Sequence, residues 1–146
     1  MITTEGKTVE EVVDEIFIKL NKQGHRSMKR IGPPERSIHQ CAYSDDKGGH
    51  CAVGWLLDPD NEEAMNFGGS ITGLSAKKLG SNRKFIEDNI ELMGVMQRIH
   101  DSTDKTAMTA GKQRLKELCT IPESANTWIN NMDARKRAEI GSGDTS

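Results

Sequence analysis

The chain has 146 residues, 29% of them charged and 34% hydrophobic, and its 20 Lys and Arg against 22 Asp and Glu leave a net charge of −2. That length suits one domain, large enough to bury roughly 68–70% of its unfolded surface. The near-balance of charge argues against a nucleic-acid binder, which needs a basic excess, and equally against a mimic of nucleic acid, which needs an acidic one.

The first element is an amphipathic helix in "TVEEVVDEIFIKLNKQG". Val9, Val12, Val13, Ile16, Phe17 and Leu20 recur every three or four residues and make one apolar face. Thr8 and Glu11 have the spacing of a capping box, and Gly24 is a left-handed terminator. "HRSMKRIGPPERSIHQ" follows as a loop, because Pro33 and Pro34 forbid a continuous helix. It is locally basic, with Arg26, Lys29, Arg30 and Arg36 close together beside His25.

"SIHQCAY" and "HCAVGWLL" are short and β-compatible, and "SDDKGG" between them is turn chemistry. The expectation is a β-hairpin that sets Cys41 roughly opposite Cys51. "DPDNEE" reads as a turn and an acidic helix start, since it lacks the glycine and distal glutamate of a calcium loop. "GGSITGLSAKKLG" is Gly-rich and irregular.

"NRKFIEDNIELMGVMQRIHDS" is a second long helix with a stripe of Phe85, Ile86, Ile90, Met93, Met96 and Ile99. Gly94 in its middle costs about 1 kcal/mol relative to alanine, a reason to expect another element close by. A third helix covers "KTAMTAGKQRLKELC", with Gly111 on its inner face. Pro122 ends that run, and Ser124 is placed to cap a fourth helix carrying Trp128, Ile129 and Met132. "GSGDTS" at the end is polar and expected to fray.

Four residue types that bind zinc, His39, Cys41, His50 and Cys51, lie within this central stretch. His50 and Cys51 are adjacent, so on a strand they face opposite ways and at most three of the four converge. The reading is structural thiols with no metal. A catalytic cysteine needs a base and an orienting group, which His50, His100 and Asp101 could supply, but nothing local marks either thiol as a nucleophile. His100-Asp101 resembles the pair of metal phosphohydrolases, yet the other three histidines all lie far before it in sequence, none beyond position 50. His100 fits better near a helix C-terminus, where an imidazolium meets the dipole favourably. "GGSITGLS" lacks the lysine of a phosphate loop, which leaves at most a backbone nest for an anion. No cofactor motif is present.

The three cysteines are an odd number, unlike a secreted disulfide framework. "MITTEGKTVEEVV" has no basic-then-apolar leader pattern, and no apolar run approaches the ~20 residues of a membrane span. The expected setting is a cytoplasm that keeps thiols reduced.

The order of Arg26-Ser27, Cys41-x-Tyr43, a short turn, Cys51-Ala52-Val53-Gly54-x-Leu56 and a distal His100-Asp101 resembles small proteins encoded by tailed phages and prophages. The resemblance covers about residues 10–130. The chain departs from the pattern in a longer, basic, Pro-containing segment before Cys41 and in a longer stretch after His100-Asp101. It implies a phage origin and the host cytoplasm during infection, and it carries no activity over.

The expected fold is α+β, a mainly helical single domain over residues 1–140 with three to four helices packed around one small β-hairpin, then a flexible polar tail over 141–146. The expected function is a phage accessory protein that is not an enzyme, takes no cofactor or metal, and binds or inhibits a host protein or defence system. Arg26, Lys29, Arg30 and Arg36 are the expected partner-binding residues. Nucleic acid and membrane are argued against, and self-association is left open. The alternatives are a protein that sequesters a small ligand or nucleotide, and a small hydrolase using Cys41 or Cys51 with His50 or His100.

Overall fold

The computed structural model describes residues 1–31, 38–41, 43–45, 47–66, 71–73 and 76–135. The tail 141–146 and the stretch 136–140 before it lie outside the described residues.

Helix α1 (Val9–Gln23) forms as its sequence signals require. The Glu11 N–H donates to Thr8 Oγ1 and the Thr8 N–H to Glu11 Oε1, both at 3.2 Å. Gly24 closes the helix at φ +78°, with its N–H on the Leu20 carbonyl. Val12, Val13, Ile16, Phe17 and Leu20 are completely buried.

The expected second long helix is two. Helix α4 (Arg83–Asp88) stops at Asn89, whose amide donates to the Phe85 carbonyl at 2.9 Å while its backbone sits at φ −127°, and α5 (Ile90–Asp101) starts afresh. An Asn side chain that bonds a carbonyl of the preceding turn competes with the helix ladder, and here it breaks the run. The new phase leaves Ile90, expected on the apolar stripe, 39% exposed.

Helix α6 (Lys105–Leu118) packs along α5. The glycine that admits a neighbour is Gly111, where a Cβ would come within 2.9 Å of Ile99 Cγ1. At Gly94 a Cβ would meet nothing within 4 Å. Helix α7 (Glu123–Asn130) packs on α1 and drives Trp128, fully buried, into the core. Pro122 stands at its N-cap. Ser124, expected as the cap, instead donates its hydroxyl to Asp14 Oδ1 and so ties α7 to α1. A further helical turn follows at 132–135.

The expected α+β class is overturned, and the fold is all-α. The segment read as the hairpin's second strand, His50 to Leu57, holds a turn running into a 3-10 turn at Gly54–Leu56. Cys51, Ala52, Val53, Leu56 and Leu57 are all buried, which is a continuous apolar run rather than strand alternation. Cys41 and Cys51 therefore do not face each other across a hairpin. Part of the expected loop is instead extended. Strand β1 (Met28–Ile31) pairs antiparallel with β2 (Ile38–Cys41), Met28 opposite Cys41 and Ile31 opposite Ile38. At four residues each, these strands are too short to form a layer of the fold.

Two short helices, α2 (Glu62–Met65) and α3 (Ala76–Leu79), complete the path. Asn61 caps α2 through the Ala64 N–H, the acidic helix start expected of "DPDNEE".

Asn82 holds the N-terminal segment to this frame. Its amide donates to the carbonyls of Ile2 (2.7 Å) and Leu56 (2.8 Å), and its oxygen accepts from the N–H and hydroxyl of Thr4. The side chain is 2% exposed and every polar atom is used, as burial of an amide demands.

Candidate functional site

Arg26, Ser27, Tyr43, Cys51 and the His100-Asp101 pair come together around the C-terminal end of α5. His100 is completely buried there. Its Nε2 accepts the Ser27 backbone N–H at 3.1 Å, so the proton is on Nδ1, which donates to Asp101 Oδ1 at 2.6 Å. The ring is thus the neutral tautomer with both nitrogens in use. It lies parallel to Trp128, centroids 5.8 Å apart, and the indole N–H donates to the Ile99 carbonyl. The expected imidazolium at a helix end is corrected by this geometry. Arg26 takes the dipole role instead, its guanidinium donating to the Asp101 carbonyl at 3.0 Å.

The Cys51 thiol is fully buried and accepts the Gly54 N–H at 3.3 Å. Loss of hydration pushes its pKa up to about 12. The Gly54 bond pulls the other way, and the Asp101 charge adds to the rise. Tyr43 is pushed upward for the same reasons, first burial and then the negative charges of Cys51 and Asp101. Gln97 joins the group, donating to Asp101 Oδ1 and accepting from the Val53 N–H.

Beside this lies the loop that "SDDKGG" makes. Asp45 Oδ1 accepts the N–H groups of Lys47 and Gly49, and its Oδ2 faces His25 Nε2 at 2.9 Å. The turn expectation holds here, but the turn folds back on the end of α1. Gln23 links the two by accepting the His50 N–H and donating to the His25 carbonyl. His50 donates from Nδ1 to the Tyr43 carbonyl, and its ring meets Trp55 edge-on.

A thiolate nucleophile needs a lowered pKa and a base with a free lone pair. Cys51 has the opposite shift, and the His100 lone pair is occupied by a backbone amide. Among the described residues no three or more His, Cys, Asp and Glu side chains gather to hold a metal. Of the four zinc-type residues, the side chains of His39 and Cys41 lie outside the described ones.

Of the four basic residues, one has a described side-chain partner. Arg26 is half-buried and bonded to the end of α5. Lys29 and Arg30 stand on β1, paired with Gln40 and His39, and their side chains lie outside the described ones. Arg36 is outside the described residues altogether, as are Gly68, Gly69 and Ser70 of the Gly-rich stretch.

The two raised pKa values predict alkaline lability. The folded chain keeps these protons where the unfolded chain releases them. Stability is therefore full below the ordinary thiol value of 9.0 and falls as pH climbs toward about 12. Each group adds a slope of up to ~1.4 kcal/mol per pH unit. Urea midpoints measured across that window should fall steeply for the wild type, less for Cys51→Ala, and least for Cys51→Ala with Tyr43→Phe. Parallel curves for all three would contradict the buried placement of these groups.

Comparison with protein-family models, with curated proteins and with solved structures gives no match. Among the described residues no helix is long and apolar enough to cross a membrane.

Proposed function

We propose that this chain is a phage-encoded accessory protein that binds a host protein in the host cytoplasm and does so without catalysis. The observation that carries the reading is that the reactive groups are consumed by the frame. Cys51 is buried and protonated, and both nitrogens of His100 are bonded within the chain. The motif residues are therefore the structural signature of the fold, and function falls to the surface.

The contact surface is the basic segment with Lys29 and Arg30 on β1 and Arg36 after them in sequence. Its base is anchored, since Arg26 and Ser27, just before β1, are both bonded to the end of α5. A fixed base lowers the cost of ordering a segment on a partner. Arg26 belongs to the anchor. Lys29, Arg30 and Arg36 are the residues this reading assigns to the partner, and their charge suits an acidic protein face, where Arg pairs bidentately with carboxylates.

Affinity capture from infected host cells tests this. A partner held by the wild type should be lost with Arg30→Glu plus Arg36→Glu and retained with Cys51→Ser. The hydrolase alternative predicts the reverse, loss of activity with Cys51→Ser and indifference to the arginines. Capture unchanged by the double reversal at physiological salt would end the binding-segment reading.

A further inference from the structure

Helices α5 and α6 leave an open groove on their outer side, a space of about 590 Å³. Glu91, Gly94, Val95 and Arg98 line it from α5 at spacings of three, four and seven. Ala110, Gln113, Arg114 and Glu117 repeat the same spacing from α6. These residues share one face of the α5–α6 pair, the layout by which one helix pair packs against another. Its floor is low at the centre, because Gly94 is exposed and a Cβ there would meet nothing within 4 Å. Among the described residues no neighbour uses the space that this glycine clears, although it weakens α5.

The charges say what sits there. Arg114 pairs with both Glu91 and Glu117, so these three mark one end of the groove, with two carboxylates against one guanidinium. Arg98 lies seven residues on from Glu91, about 10 Å along the helix, and makes no ion pair among the described residues. One end is therefore net −1 and the other net +1. The groove as a whole is neutral, which favours neither a strongly acidic nor a strongly basic partner. Its polarity is satisfied by the same surface turned end for end. A two-fold axis through the middle sets each Arg98 against the carboxylate end of the other copy, the self-complementary layout of an isologous contact.

We propose that the chain self-associates through this surface, two α5–α6 pairs packing face to face across Gly94 as a four-helix arrangement. The contact is independent of the basic segment, so either can fail without the other.

Sedimentation equilibrium of the full chain over a wide concentration range tests it. The wild type should pass from the 16.2 kDa monomer toward twice that mass. Arg98→Glu makes both ends net −1 and should hold the chain as a monomer. Adding Glu91→Arg makes the ends −1 and +1 again and should restore the dimer. Gly94→Leu should abolish association by bulk while circular dichroism shows the helix content kept, since the side chain meets open space in the monomer. A wild type that stays monomeric throughout, or an Arg98→Glu variant that associates like the wild type, overturns the proposal.

Discussion

Gly54→Ala should destabilise the chain by roughly 3 kcal/mol or more, at the top of the range for overpacking, and lower the melting temperature by about 10 °C. The backbone angle is not the reason, since Gly54 is not among the glycines with positive φ. The reason is space. A Cβ at Gly54 would stand 2.3 Å from the Tyr43 carbonyl oxygen, 3.1 Å from its carbon and 3.2 Å from His50 Cβ. The first two are backbone atoms and cannot rotate away. The same carbonyl accepts the His50 Nδ1–H, so moving it also breaks that bond. The Gly54 N–H is held in turn by Cys51 Sγ. Because the clash is with the main chain, trimming the side chain should not relieve it, and Gly54→Ala with Tyr43→Phe should be no more stable than Gly54→Ala alone. Equal melting temperatures for wild type and Gly54→Ala would show that the two segments do not approach so closely.

That contact explains why the Cys-Ala-Val-Gly block reads as a β-compatible segment in sequence yet folds as a buried turn. A run of apolar residues with one glycine is compatible with a buried strand and with a buried turn. The arbiter is a long-range contact, the Tyr43 carbonyl, that no local pattern contains. Helix α1 was legible in full, because its cap, its stripe and its terminator are all written within seventeen consecutive residues, Thr8 to Gly24. The break at Asn89 was missed because a single side-chain bond to Phe85 decides it. Strand β1 was missed because "MKRI" is too short to show a period and sits beside two prolines. Asn82 carries no signal at all in one dimension. Its four bonds reach Ile2, Thr4 and Leu56, all at least 26 positions away.

The candidate site was legible as a set of residues and not as an arrangement. Cysteine and histidine are rare enough to stand out in a sequence, but the same letters serve catalysis, metal binding and packing. Burial and bond direction separate these roles. Arg26 shows the limit most plainly. Its neighbours in sequence made it one of a basic group, whereas its neighbour in space, the last carbonyl of α5, makes it part of the frame.

Truncating His100 is the sharpest test of the frame reading. His100→Ala removes a fully buried ring from against Trp128, leaves the buried Ser27 N–H without its acceptor, and strips Asp101 Oδ1 of its shortest donor. The lost packing and the orphaned amide together should cost about 3–5 kcal/mol. In urea the midpoint should fall while the slope stays unchanged, since the folded and unfolded states expose much the same surface. His100→Gln keeps one acceptor and one donor on a longer stem and should recover part of the loss, which a purely steric role would not reward. If His100 were a general base, the two variants would keep the wild-type midpoint and differ only in turnover. A midpoint within error of wild type for His100→Ala would remove the clasp between Ser27 and α5, and with it the anchored base on which the basic segment depends.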